Sequence, residues 1–187
     1  LKHLDLGDAA IDDLRQLKGL ALETLVVTPA RIKHGLPELT GITSLRSVNT
    51  MAPADFLRWV ELQRTILAAN PEYTWNATAV YESGKLVELR LPRGMRSLEP
   101  LRGLRLRLLT APGGLFSDIS PLTGMPLEHL DLSSTRVQNL APLADITTLR
   151  NLHLASAPVT DLRPLAKLPL IELTVSPGPV TAGLDVV

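Results

Sequence analysis

Leu127-Glu128-His129-Leu130-Asp131-Leu132 returns, 22 residues later, as Leu149-Arg150-Asn151-Leu152-His153-Leu154. The likeness runs on past these six. Leu127, Leu130, Leu132, Val137, Leu140, Pro142 and Leu143 recur as Leu149, Leu152, Leu154, Val159, Leu162, Pro164 and Leu165. One copy earlier, at an offset of 21, the series reads Leu106, Leu109, Ala111, Phe116, Ile119, Pro121 and Leu122. Self-similarity at such a period marks a solenoid, in which no coil can bury its apolar side alone and stacked neighbours share one core. The Leu-x-Leu alternation reads as a short strand of period 2. Stacking the coils sets these strands in parallel, and parallel strands need cover on both faces. The segment returning after each turn supplies one cover.

Composition agrees with that core. The 187 residues include 39 leucines, and aromatic residues make up only 3%. Aromatic rings carry much of the buried area in an ordinary core, whereas stacked leucines do without them. The formal net charge is zero. No basic footprint for nucleic acid is present, and Arg102, Arg105 and Arg107 fall at repeat spacing, as a solvated rim would. The absence of cysteine excludes disulfides, thiolate zinc sites and thiol nucleophiles. It leaves the compartment open between cytoplasm and cell surface or periplasm. No stretch reaches the roughly 18 apolar residues of a membrane span. The chain starts at Leu1, inside a repeat, so a fragment of a larger protein is expected.

Three segments are expected. Residues 1–50 hold a first short array, with coils at Leu1-Leu4-Leu6 and Leu22-Leu25-Val27 and a third that starts at Leu45 and Val48 and stops early. Residues 51–85 form a helix and hairpin that cap or interrupt the repeats. Ala52-Pro53-Ala54-Asp55 carries helix start signals and Asn70-Pro71 ends the helix. Its apolar arc, from Leu62 round to Leu57, spans roughly 220° at 100° per residue. Two β-rich runs, Tyr73 to Tyr81 and Leu86 to Leu91, flank a glycine-containing turn and read as a hairpin. Residues 86–187 form a second array with strands at 86–91, 106–111, 127–132, 149–154 and 170–175.

The repeat resembles the leucine-rich-repeat family. Units of 21 to 22 residues and the pieces Asp118-Ile119-Ser120-Pro121-Leu122, Asn139-Leu140-Ala141-Pro142-Leu143 and Asp161-Leu162-Arg163-Pro164-Leu165 look like the short internalin-like repeats of bacteria. The resemblance implies an α/β solenoid with a parallel sheet on its concave face and short 3₁₀ turns on the convex side. The insert around Trp59 to Leu86 is similar to segments that precede repeats in large bacterial proteins, some with Ser/Thr-kinase domains. One departure stands out. The family places Asn where the chain leaves each strand, whereas this sequence has Ala9, Ala30, Gly114, Thr135, Ala157 and Gly178. Thr135 and water are expected to serve these turns, giving a looser ladder.

Family members bind partners on the concave strand face. Here that face is a column of Glu88, Leu108, His129, Asn151 and Glu172 beside a column of Arg90, Thr110, Asp131, His153 and Thr174. Leu108 apart, these are the expected partner-binding residues, and the partner is expected to be a protein or peptide. Two imidazoles and a carboxylate at His129, Asp131 and His153 have the chemistry of a divalent-metal site, but on a polar sheet they read first as solvated side chains. The same holds for His3, Asp5 and His34. Gly113-Gly114 lacks the setting of a phosphate loop and reads as a turn. Asn76-Ala77-Thr78 matches a glycosylation acceptor and reads as incidental. Trp59, Trp75, Tyr73 and Tyr81 read as core of the cap in preference to an exposed platform. No nucleophile stands beside a base and an orienting group. The expectation is a monomeric, non-enzymatic scaffold without cofactor or metal. A sensor segment of a kinase-like receptor and a structural spacer stand as alternatives.

Overall fold

The structure is a computed structural model that describes residues 1–72, 77–176 and 180–183. The chain forms two compact units, Leu1–Gln63 and Arg64–Val187. Both are built from coils in which a short parallel strand leads into a turn and a 3₁₀ segment. The fold is a leucine-rich-repeat solenoid.

In the first unit, β1 (His3–Leu6), β2 (Thr24–Val27) and β3 (Ser47–Val48) form a parallel sheet. Leu4 stands in register with Leu25, and Leu25 with Val48. Leu25, Val48, Leu14, Leu22 and Leu39 are buried in one core. The third coil ends early, as the sequence suggested. Asn49 and Thr50 take left-handed φ of 48° and 70°, and the chain doubles back so that Val48 and Met51 form an antiparallel bridge. Helix α1 (Pro53–Ala69) follows, and its Phe56 and Val60 join the same core. Phe56, Trp59, Val60, Gln63 and Ile66 are its buried side chains. They span about 120° at 3.6 residues per turn. The apolar arc of 220° is wider than this fully buried stripe, since Leu57 packs against the core only partly buried and Leu62 is half-buried.

The second unit carries a six-stranded sheet of β4 (Thr78–Glu82), β5 (Lys85–Arg90), β6 (Leu108–Thr110), β7 (His129–Asp131), β8 (Asn151–Leu154) and β9 (Glu172–Val175), in that order. Only β4 and β5 are antiparallel. They meet at Ser83-Gly84, whose φ values of 49° and 73° are both positive, as a two-residue hairpin turn of matching twist requires. Leu89, Leu109, Leu130 and Leu152 are at most 1% exposed and form the spine. Leu173, on the outermost strand, is half-buried. β5 has the expected six residues, but β6 to β9 are shorter than expected. Arg107 O accepts the amides of both Glu128 and His129, and Glu128 O those of both Arg150 and Asn151. One carbonyl serving two successive amides bends the chain, so Leu106, Leu127 and Leu149 lie before their strands and not in them.

The convex side consists of 3₁₀ turns at Glu99–Leu101, Ser120–Leu122, Ala141–Leu143 and Arg163–Leu165. Pro at each second position loses no hydrogen bond there. A side chain just upstream fixes each turn. Asp118 Oδ1, Asn139 Oδ1 and Asp161 Oδ1 accept the amides of Ser120, Ala141 and Arg163 at 2.8–2.9 Å, and Ser97 Oγ serves Glu99 in the same way. In the first unit Asp13 Oδ1 serves Arg15.

A longer repetition overlies the short one. Residues 1–39 match residues 149–187 at an offset of 148, with 15 identities. The hydrogen bonds match as well. Leu14 N donates to His34 O and Leu162 N to Ala182 O, both at 3.0 Å. Arg15 and Arg163 each close a fork on the aspartate two residues before. Gly35 and Gly183 take φ of +85° and +78° with a backbone amide packed against them.

Candidate functional site: the outward rows of the second sheet

Strand alternation decides which side chains face outward. With Leu89, Leu109, Leu130 and Leu152 inside, the residues on either side of each must point the other way. Register aligns them. Glu88 pairs with Leu108, Leu108 with His129, His129 with Asn151, and Asn151 with Glu172. Arg90, Thr110, Asp131, His153 and Thr174 form the adjoining row. The antiparallel β4 extends both, with Val80 beside Glu88 and Thr78 beside Arg90.

The rows are linked sideways. Arg90 reaches Glu88 at 3.3 Å. Asn151 Nδ2 donates to Glu172 Oε2 at 2.9 Å. His153 Nδ1 lies 3.2 Å from Thr174 Oγ1, and its Nε2 lies 4.0 Å from Glu172 Oε1. Asp131 Oδ1 accepts the Ser133 amide at 2.8 Å and so holds the chain where it leaves β7. His129 and Glu172 are exposed, and Asp131, Asn151 and His153 are half-buried. Among the described residues, no three of His, Cys, Asp and Glu come together closely enough to hold a metal ion. His129, Asp131 and His153 are neighbours in the rows, not a ligand set.

The perturbed carboxyls lie away from this face, on the convex turns. Hydrogen bonds from the Arg15 side chain, and then from its backbone, bring Asp13 down to about 2. The Arg163 side chain lowers Asp161, the Ser120 amide lowers Asp118 and the Arg102 side chain lowers Glu99. These groups fasten turns. In the first unit, His3 meets Thr24 at 2.6 Å across the strands; Asp5 holds the Gly7 amide.

At Ala157 the expectation of a looser, water-served turn is corrected, while Gly178 lies outside the described residues. Ala157 N donates to Leu154 O at 3.0 Å, and Ser156 N to Ser176 Oγ at 2.6 Å. Ser134 N reaches Ala155 O in the next coil, and Gly113 N reaches Ser133 O. Thr135 is buried, as expected of a turn residue, and donates to Leu132 O. Two asparagines outside these turn positions do related work. Asn49 pairs with both the N–H and the C=O of Val27. Asn70, 1% exposed, accepts from the amides of Arg96 and Ser97 and donates to Ile66 O and Ser97 O. In the aromatic group, Trp59 is buried and Tyr81 half-buried. Tyr73 and Trp75 lie outside the described residues, as does Asn76.

No protein-family model matches the chain. An 85-residue stretch, 44% of the chain, is 32% identical to UDP-N-acetylglucosamine--N-acetylmuramyl-(pentapeptide) pyrophosphoryl-undecaprenol N-acetylglucosamine transferase of Azotobacter vinelandii and covers 24% of it. Among solved structures, 94% of the chain aligns with an internalin (inlF) from Listeria monocytogenes at 21% identity and a TM-score of 0.45, covering 41% of that chain. The same share aligns with internalin C2 (inlC2) of that organism at 19% identity and a TM-score of 0.44, covering 62% of it. The chain therefore spans about a quarter of the curated relative and less than two thirds of either internalin. No helix among the described residues is long and apolar enough to cross a membrane.

Proposed function

We propose that this chain is a non-enzymatic binding scaffold, and that the outward rows of β5 to β9 are its docking surface for a protein or peptide. One observation carries the reading: ten side chains on five strands stand in two unbroken rows, nine of them polar, over a leucine core that fixes their spacing. The two matching segments support it. Their inward strand positions are identical: Leu4 and Leu152, Leu6 and Leu154, Leu25 and Leu173, Val27 and Val175. Their outward positions all differ: His3 and Asn151, Asp5 and His153, Thr24 and Glu172, Val26 and Thr174. The coil is held constant while its face varies. Strong interfaces centre on Trp, Tyr and Arg, and with Arg90 alone of these the rows suit modest affinity. A displayed random-peptide library selected on the whole chain tests the reading. Binders should be lost on His129→Ala with Asn151→Ala and retained on Arg102→Ala with Thr123→Ala on the convex side. Equal retention on both variants would refute it.

A further inference from the structure

We infer that the β7–β9 part of this face takes an extended peptide carrying two cationic side chains, one at Asp131 and one at Glu172; the inference rests on the docking reading above. β7, β8 and β9 contain no Lys or Arg. The carboxylates here are therefore not neutralised by their own strands. On β5 the opposite holds, since Glu88 is paired with Arg90. Arg107, beside β6, is taken up by Glu82. Arg150, at the head of β8, is turned away, with its Nη1 on the carbonyls of Thr147 and Leu149. Glu128, at the head of β7, is exposed and adds to the negative charge.

Both carboxylates keep capacity for a partner. Asp131 uses Oδ1 for the Ser133 amide, and a carboxylate oxygen accepts more than one bond. Glu172 takes one neutral donor, Asn151, on Oε2, and its Oε1 has only His153 Nε2 near it, at 4.0 Å. Asp131 is half-buried, which strengthens its field relative to a fully solvated group. A metal ion is a poor occupant, because no three ligating side chains converge among the described residues. Two strands at about 4.8 Å each and two residues at about 3.3 Å separate Asp131 from Glu172, a diagonal of about 12 Å. Four residues of extended chain span about that distance and bring both side chains to one side. The fitting partner crosses the strands and presents Lys or Arg at i and i+4, which lie on one side of an extended chain.

The test uses ¹⁵N-labelled whole chain and three ten-residue peptides that differ only at positions i and i+4: Lys and Lys, Gln and Gln, or Glu and Glu. The Lys peptide should shift the amides of His129, Asn151 and Glu172 and bind about fivefold tighter than the Gln peptide, two exposed charge pairs being worth about that factor. Added salt should erase the difference. Asp131→Asn with Glu172→Gln, which keep shape and hydrogen-bonding oxygens, should abolish the preference. If the Gln peptide binds this face equally well, or the preference survives the double variant, the cation inference is overturned and the docking face stands. If no peptide shifts these amides, both fall.

Discussion

Asn70 is the residue on which the start of the second unit turns. Its carboxamide accepts from two backbone amides and donates to two carbonyls while 1% exposed. Asn70→Ala would leave the part-buried Arg96 and Ser97 amides without their acceptor and remove two donated bonds, at about 2 kcal/mol in total. The urea midpoint should fall accordingly with an unchanged slope, and Asn70→Asp, which retains the acceptor oxygens, should lose less. A loss under about 1 kcal/mol would mean that water replaces the side chain. In the sequence this residue reads only as the end of a helix. The acceptors and donors it serves lie up to 27 residues away, and no local pattern announces a contact at that distance. Asn49 is illegible in the sequence for a related reason: its coil stops early, so it falls outside the column of turn positions.

Among the elements, the turns are where backbone conformation and packing combine. Gly19 and Gly35 both have strongly positive φ. A Cβ on Gly19 would meet nothing within 4 Å, whereas one on Gly35 would lie 2.5 Å from the Arg15 amide nitrogen. Gly19→Ala therefore carries only the left-handed penalty, about 1 kcal/mol. Gly35→Ala adds a collision with backbone that cannot step aside, for roughly 3 kcal/mol altogether. Thermal melts of the two variants should separate by several degrees, and equal melts would show that coil 2 shifts freely against coil 1. The same distinction explains what was readable at this scale. The parallel strands, their neighbours and the convex 3₁₀ turns follow from leucine and proline spacing, which is local. Strand ends do not, because the doubly used carbonyls of Arg107 and Glu128 that curve the chain belong to stacked coils. The outward rows were legible because period-2 alternation and the 21- to 22-residue offsets place every side chain. What they bind was not, since a polar sheet face has no fixed chemistry.

At the scale of the whole molecule, the 148-residue correspondence says that one coil design serves in both units. If so, its surface positions are exchangeable as long as the phase is kept. Replacing Thr160–Leu168 by the sequence of Asp12–Leu20 requires four changes: Thr160→Asp, Pro164→Gln, Ala166→Lys and Lys167→Gly. None of the four positions is buried. Asp161, Leu162, Arg163, Leu165 and Leu168 are common to both segments, so the aspartate–arginine fork and the leucine spine stay intact. Surface exchanges of this kind are worth about 0.5 kcal/mol each, and the lost proline somewhat more through the unfolded chain. The far-ultraviolet circular dichroism should be unchanged and Tm should fall by less than about 8 °C. The same nine residues set one position later would put an aspartate at 162, where Leu162 is fully buried, and the second unit should then fail to fold cooperatively. If the in-phase graft unfolds too, the resemblance between the segments is one of composition, and the outward rows lose the common frame that spaces them.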